Sequence, residues 1–150
     1  MASFEFKLSA DPIDAAEWGS SLVDDSAGAY VTFEGWVRNR NDGREVAGLE
    51  YEAYVPLAEK EGQMILAEAE AQFPIRGARC VHRVGTLGLG ELAVWVGVTA
   101  EHRGAAFDAC RYIIDAAKSR VPIWKRERYA DGTTTWINAA APGSGPVTPV

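Results

Sequence analysis

Residues 92–120 read LAVWVGVTAEHRGAAFDACRYIIDAAKSR, and this stretch decides which fold the chain can adopt. Its first part, residues 92–99, is a nearly continuous apolar run, which is typical of a strand covered on both faces. Its last part, residues 103–120, repeats apolar residues at helical spacing, and Pro122 then stops the helix. The helix residues expected to face the core are Phe107, Cys110, Ile114 and Ala117.

Between residue 1 and residue 54, the sequence predicts three strands. Residues 4–8 alternate between apolar and polar side chains, residues 29–37 are rich in β-branched and aromatic ones, and residues 46–54 alternate again. Residues 38–45 form a polar loop with the turn residues Asn41-Asp42-Gly43. We expect the runs 29–37 and 46–54 to pair as a hairpin across this basic loop.

Two further helices are predicted before the apolar stretch. Asp11-Pro12 is typical of a helix start and predicts a helix over about 12–24. Pro56 starts a second helix that reaches about Phe73, because Pro74 ends it. The residues expected to be buried are Ile13, Ala16 and Val23 on the first helix and Leu57, Met64, Ala69 and Phe73 on the second.

The remaining segments predict three more strands. Residues 78–84 form one strand, and the glycines of residues 85–90 make a loop. Residues 123–129 and 133–137 pair as a hairpin across Asp131-Gly132. The order β-α-β-β-α-β-β-α-β-β predicts an α+β fold with mixed or antiparallel sheets and about three helices.

The length fits one domain. We assign residues 1–138 to that domain. Residues 139–150 are rich in alanine, proline and glycine, and we expect them to form a flexible tail.

The composition excludes several classes of protein. Of the 150 residues, 47% are hydrophobic and 24% are charged, as in ordinary globular proteins. No apolar run approaches the ~20 residues that cross a bilayer. The first seven residues lack the basic and apolar regions of a signal peptide, so we expect a cytoplasmic protein that binds no membrane. Cys80 and Cys110 fit neither a disulfide framework nor a metal site, and we expect both to be buried.

The net charge of −6 argues against nucleic-acid binding, which needs a basic surface. The cations nevertheless gather in three short segments, residues 38–44, 76–83 and 118–128. Two interpretations stay open from this distribution. The cations focus an anionic ligand in one cleft, or they are separate, solvated surface charges.

Two groups of cations flank the predicted helix 103–120. His102 and Arg103 lie at its start, where free N–H groups favour anions, and Lys118 lies near its end. About 22 Å separates the two groups at 1.5 Å per residue. One small ligand can therefore contact both only if a second chain supplies one of them, which is a hint of a dimer. Ordinary solvated cations along the helix are the alternative.

Lys118 and Lys125 are the candidates for acid–base chemistry. A lysine that is close to other cations, or partly desolvated, has a lowered pKa and exchanges protons near neutral pH. In the predicted strand 123–129, Lys125 shares one face with Glu127 and Tyr129.

Other motifs carry less information. We interpret His82 as a structural histidine. Residues 85–90 match neither a dinucleotide-binding fingerprint nor a phosphate-binding loop, and glycines in a turn explain them adequately.

Four blocks of sequence between about Ala27 and Trp136 carry a family resemblance. They are GAYVTFEGWVRN at 28–39, LEYEAY at 49–54, HRVGTL at 82–87 with Gly90-Glu91 and His102-Arg103, and Phe107, Ile113-Ile114-Asp115, Lys118 and PIWKRE at 122–127. In the order and spacing of these blocks, the chain resembles the large, catalytic subunits of molybdopterin synthase, the MoaE family. Each block alone is weak evidence for the family, whereas the four blocks together are highly specific.

The resemblance implies a reaction, partners and a fold. The family converts cyclic pyranopterin monophosphate into molybdopterin, a dithiolene. Sulfur arrives as a thiocarboxylate on the C-terminal Gly-Gly of a small ubiquitin-like subunit, so neither a catalytic cysteine nor a metal or other cofactor is expected in this chain. The implied fold is an α/β hammerhead-like core with a small β subdomain, and the implied assembly is a homodimer at the centre of a heterotetramer.

The resemblance also assigns residues. Lys118 and Lys125 match the family's catalytic lysines. The pocket is shared across the dimer, in agreement with the helix-length argument. The substrate-binding residues that the resemblance implies are Arg38, His102, Arg103, Phe33 and Arg126.

The sequence departs from the family pattern after Trp136. Family members can carry a further pocket arginine there, whereas this chain has Asn138-Ala139-Ala140-Ala141. Either Arg126 or Arg128 replaces that arginine, or the phosphate is held with one contact fewer.

Two non-catalytic interpretations stay open beside the enzyme. One is a dimer that docks an anionic ligand or an acidic tail without chemistry. The other is a structural partner that holds the small subunit by sheet-edge or tail-in-groove contacts. The intact pair Lys118 and Lys125 favours the enzyme.

Overall fold

Strand β7 (Leu92–Ala100) is buried along almost its whole length, as its apolar sequence predicts. In the computed structural model, which describes residues 3–138, eight of its nine residues are buried. β7 lies antiparallel between β5 (Ile75–Arg83) and β2 (Ala29–Trp36). β1 (Phe4–Ser9) extends this first sheet and runs parallel to β5.

Within the described residues, a second sheet of five strands is built around β4 (Arg44–Ala53). β3 (Arg40–Asn41) pairs with the start of β4, and β6 (Gly85–Gly88) pairs with its middle. β8 (Ile123–Tyr129) pairs along most of β4, and β9 (Thr134–Asn138) pairs with β8. The predicted C-terminal hairpin is therefore confirmed.

The predicted hairpin between residues 29–37 and 46–54 is wrong, because the two strands belong to different sheets. β2 pairs with β7, and β4 pairs with β8. The buried β7 satisfies its backbone groups by pairing on both edges, and β2 is one of the two strands that it uses. The polar segment 38–45 carries the chain from one sheet to the other.

Helix α3 (Arg103–Arg120) begins and ends where the sequence predicts. Its buried residues are Ala106, Ala109, Cys110, Ile113, Ile114, Ala116 and Ala117. Phe107 was expected in the core but is 59% exposed. It lies at the edge of the buried stripe, two turns before Ile114.

Helix α2 (Val55–Gln72) has the predicted position, but it buries a different face. Ala69 is buried as expected, whereas Leu57 and Met64 are about half exposed. The reason is a close approach between helix and sheet, since a Cβ atom at Gly62 would collide with the ring of Phe6 on β1. This contact turns the side of α2 that carries Gly62 toward the sheet.

Helix α1 (Ala15–Ser20) is shorter than the predicted helix over 12–24. The carboxylate of Asp14 accepts hydrogen bonds from the backbone N–H groups of Ala16 and Glu17, so the helix begins after Asp14. Val23 lies beyond the helix and is 80% exposed, and Leu22 is buried in its place. Of the other expected core residues, Ile13 is partly buried and Ala16 is exposed.

These elements confirm a single α+β domain with mixed sheets and three helices among residues 3–138. The predicted flexible tail, 139–150, lies outside the described residues. None of the helices in the described part of the chain is long and apolar enough to cross a membrane. Cys80 and Cys110 are free and buried, as predicted, and burial raises the pKa of Cys110 to about 11.

Candidate functional site

Strand β8 alternates between interior and surface, and this alternation buries a lysine. Lys125 and Glu127 are each 1% exposed, and Tyr129 on the same face is also buried. Trp124 and Arg128 on the other face are exposed. The predicted facing of this strand is confirmed. Because ionisable side chains are almost never fully buried without a partner or a role, Lys125 and Glu127 mark a candidate site.

Lys125 lies in a row of three buried side chains across the second sheet. Its Cα partners are Tyr51 on β4 and Ile137 on β9. The ring of Tyr51 meets the ring of His82 edge-on, with 4.8 Å between the ring centroids. His82 belongs to β5, so this contact joins the two sheets beside Lys125.

Glu127 is held in place by two hydrogen bonds. Its Oε1 accepts one from Asn41 Nδ2 at 2.8 Å and one from the Tyr129 hydroxyl at 3.1 Å. Asn41 is buried, and it precedes a tight turn in which Asp42 and Gly43 both have positive φ. The fixed carboxylate lies two residues from Lys125 on the same face, and its charge raises the pKa of that lysine.

Two further cations lie close enough to Lys125 to change its pKa. Lys118, in the last turn of α3, is partly buried, and Arg38, just after β2, is exposed. Burial first, and then the charges of Lys118 and Arg38, outweigh Glu127 and lower the pKa of Lys125 to about 8.

Lys118 is shifted in the same direction. Burial lowers its pKa, Asp115 raises it, and Arg38 lowers it further. The structure thus brings together three of the predicted site residues, Arg38, Lys118 and Lys125. It lowers the pKa of both lysines, and the value of about 8 for Lys125 lies in the range that suits proton exchange near neutral pH.

His82 is buried, as expected of a structural histidine, and its Nδ1 lies 2.7 Å from the carbonyl oxygen of Arg83. Burial lowers the pKa of His82 to about 4, the Arg83 carbonyl opposes that change, and Lys125 and Lys118 lower the pKa further. The imidazole is therefore neutral at pH 7. Its position beside both lysines was not indicated by the sequence.

His102 and Arg103 lie at the opposite end of α3 and are exposed. Nε2 of His102 is 3.5 Å from the carboxylate of Glu101. Since the helix has its predicted length, these two cations do not join Lys118 and Lys125 within one chain.

Phe33 and Arg126 occupy other positions. Phe33 is partly buried on β2 and packs against the core. Arg126 points to the outer face of β8, where it forms an ion pair with Glu50 at 2.7 Å and lies over the ring of Trp136. Because this face is opposite to that of Lys125, a role for Arg126 in substrate binding stays a prediction.

Many of the clustered arginines pair with carboxylates instead of converging on one cleft. These arginines are therefore held in ion pairs, some of them buried, and the focusing of an anionic ligand by Arg38, Lys118 and Lys125 stays a prediction. The paired residues are Arg44 with Asp131, Arg76 with Glu101, Arg79 with Glu5, Arg83 with Glu91, and Arg120 with Glu61 and Glu68.

Sequence reasoning missed three residues of this site, namely Tyr51, Glu127 and Asn41. The alternation of residues 46–54 and 123–129 indicated which way Tyr51 and Glu127 point. It did not indicate that these two strands pair with each other.

Comparison with known proteins decides the family. The sequence model described as "MoaE protein" matches residues 8–120. A protein of Thermoplasma volcanium named molybdopterin synthase catalytic subunit is 49% identical over 110 residues, which cover 73% of this chain and 80% of that protein. The chain belongs to the MoaE family.

Solved structures agree with this membership. The crystal structure of molybdopterin synthase from Staphylococcus aureus superposes with a TM-score of 0.80 at 36% identity and covers 91% of this chain and 98% of that one. A Helicobacter pylori structure, titled a complex of subunits 1 and 2 of molybdopterin-converting factor, has a TM-score of 0.71 and covers 95% of this chain and 94% of that one. At 20% identity, this second structure shows the shared fold.

Proposed function

We propose that this chain is the catalytic subunit that converts cyclic pyranopterin monophosphate into molybdopterin with sulfur from a small ubiquitin-like subunit. The observation that carries the proposal is the buried Lys125, whose pKa is lowered to about 8 beside Lys118 and Arg38. Membership of the MoaE family and the names of the relatives support the same reaction.

The charges of the site suit the reactants. The substrate carries a phosphate and the incoming tail carries a thiocarboxylate, and cations bind both groups. With a pKa of about 8, Lys125 is mostly an ammonium at pH 7 and partly a neutral amine. It can therefore donate a proton to a departing oxygen or accept one as sulfur adds. Lys118 is the second proton carrier, and Arg38 holds anionic oxygen.

His102 and Arg103 take part through a second copy of the chain. They lie about 22 Å along α3 from Lys118 at 1.5 Å per residue. In a homodimer, these residues of one protomer complete the anion-binding site around Lys118 and Lys125 of its partner. Phe33 and Arg126 complete the proposed substrate-binding set.

The sulfur donor is the small ubiquitin-like subunit, whose C-terminal Gly-Gly thiocarboxylate reaches Lys125. The subunit complex from Helicobacter pylori, which has the same fold, supports such a pairing. Two small subunits on a homodimer make a heterotetramer. We place the activity in the cytoplasm, where the free thiols of Cys80 and Cys110 stay reduced.

Reconstitution tests this function. The protein is mixed with thiocarboxylated small subunit and cyclic pyranopterin monophosphate, and the dithiolene product is assayed. Wild-type protein is expected to give product, and a folded Lys118→Ala variant is expected to lose turnover by orders of magnitude. Lys60→Ala, at an exposed position of α2, is the matched control and should turn over like wild type. A stable complex with the small subunit that yields no product would overturn the proposal and leave a docking module.

A further inference from the structure

The hydroxyl of Tyr51 is buried and has no hydrogen-bond partner among residues 3–138. The side chain is 1% exposed, so solvent does not supply a partner. A buried polar group left without a partner destabilises the folded state, and folded proteins contain few of them. This hydroxyl therefore does not stabilise the fold, and binding of a ligand would explain its presence.

The packing of the Tyr51 ring does not require the hydroxyl. The edge-on contact with His82 and the pairing with Lys125 would be preserved by phenylalanine. By contrast, the hydroxyl of Tyr129, on the same face of the sheet, has a partner within the fold: it donates to Glu127 and fixes that carboxylate.

The surroundings of the hydroxyl limit what it can do. Burial first, and then the negative charge of Glu127, raise the pKa of Tyr51 well above its usual range. The phenol therefore stays protonated throughout the physiological pH range, and it cannot serve as a base. What it offers beside Lys125 is one O–H donor in a site from which water is largely excluded.

We propose that Tyr51 is a substrate-contacting residue whose hydroxyl donates a hydrogen bond to an anionic oxygen or sulfur of the reactants that meet at Lys125. This inference rests on the proposed function and deepens it. The acceptor belongs either to the pterin monophosphate or to the carboxyl end of the small subunit's tail. Both reactants carry an acceptor of this chemistry. A hydrogen bond from a donor already in place in a desolvated site strengthens as negative charge develops on the acceptor.

The test is a Tyr51→Phe variant, which keeps the ring and removes only the hydroxyl. Turnover in the reconstituted reaction is expected to fall by roughly 100- to 1000-fold, the range for loss of one such donor. The melting temperature is expected to stay the same or to rise, because an unpaired buried group has been removed. A loss of activity that comes with a lowered melting temperature would indicate a structural hydroxyl and overturn the inference.

Tyr112→Phe is the matched control. The Tyr112 hydroxyl lies between α2 and α3, where it donates to Glu68 at 2.6 Å and accepts from Gln72 at 3.2 Å. Its removal breaks existing hydrogen bonds away from Lys125, so it should lower the melting temperature and leave turnover unchanged. The two variants are thus expected to show opposite patterns.

Calorimetry separates this inference from the proposed function and identifies the acceptor. Wild-type and Tyr51→Phe proteins are titrated with cyclic pyranopterin monophosphate alone and with small subunit that ends in an ordinary carboxylate. We expect roughly tenfold weaker binding of the one reactant that accepts the hydrogen bond. If wild type makes no product but Tyr51→Phe still weakens binding, the proposed function fails and the contact stands. Equal affinities for both reactants together with equal turnover would overturn the contact.

Discussion

Tyr51 and Lys125 are direct Cα partners on β4 and β8, and each side chain is 1% exposed. Because the pKa of Tyr51 is raised, the tyrosine gives Lys125 a neighbour without charge. The charge balance at the lysine is then set by Glu127, which raises its pKa, and by Lys118 and Arg38, which lower it. We therefore expect the pKa of this buried lysine to respond to substitution of each of these neighbours in turn.

Glu127→Gln should lower the pKa of Lys125, because the substitution removes the one charge named above that raises it. Glutamine keeps an oxygen for the bonds from Asn41 and Tyr129. In a profile of kcat/KM against pH, we expect an inflection near 8 for wild type and a shift of this inflection by about one unit or more toward acid pH for the variant. Glu52→Gln, on the exposed face of β4, is the control. An inflection that stays in place would show that the charge of Glu127 does not set the pKa of the group that controls the rate.

The buried Lys125 should make stability depend on pH in a known direction. Its folded-state pKa of about 8 lies below the unfolded value of about 10.4, so the unfolded chain binds the extra proton between these pH values. Stability therefore rises with pH through this window and is lowest below about pH 8. The order of magnitude is about 3 kcal/mol over the whole window.

Lys125→Met isolates this contribution. The difference in free energy of unfolding between the variant and wild type should move in favour of wild type by about 2–3 kcal/mol from pH 7 to pH 10. Urea unfolding at several pH values measures it. Lys60→Met reports the effect of the same substitution at an exposed position. A difference that does not change with pH would mean that the lysine is not desolvated in solution.

The contact between α2 and β1 can be tested with a pair of glycines. A Cβ atom at Gly62 would collide with the ring of Phe6, so Gly62→Ala should destabilise the protein by about 1–3 kcal/mol. Gly104, in the first turn of α3, has nothing within 4 Å of the corresponding position. Gly104→Ala should therefore stabilise by up to about 1 kcal/mol through helix propensity. Thermal unfolding of both variants gives the signs, and equal signs would contradict the packing described.

Local sequence predicted the parts of this fold that depend on short-range patterns. The bounds of α3, the burial of β7 and the facing of Lys125 follow from periodicity within one element. The pairing of β2 with β7 does not, because it depends on which distant strand satisfies the edge of β7. The buried face of α2 was also missed, since it is set by Phe6, more than fifty residues away.

The site residues divide in the same way, into those predicted from local sequence and those that depend on distant segments. Arg38, Lys118 and Lys125 were named from the sequence and from the family resemblance. Tyr51 and Asn41 reach Lys125 and Glu127 through strand pairings that join distant segments, and no pattern within one segment indicates such pairings. In the sequence, Tyr51 is a neutral side chain in an alternating strand, as in ordinary core, and Asn41 is one of three turn residues in a polar loop.

Complementation between two inactive variants tests whether the site is shared between two protomers. Lys118→Ala removes a proton carrier, and Arg103→Ala removes a cation at the far end of α3, so each homodimer should be inactive. In a mixed dimer, one site carries both substitutions and the other carries neither. With random mixing, half of the dimers are mixed, and turnover should recover to about a quarter of wild type. The measurement is the reconstituted assay after the two variants are unfolded and refolded together. If all these residues came from one chain, every site would carry one substitution and mixing would restore nothing.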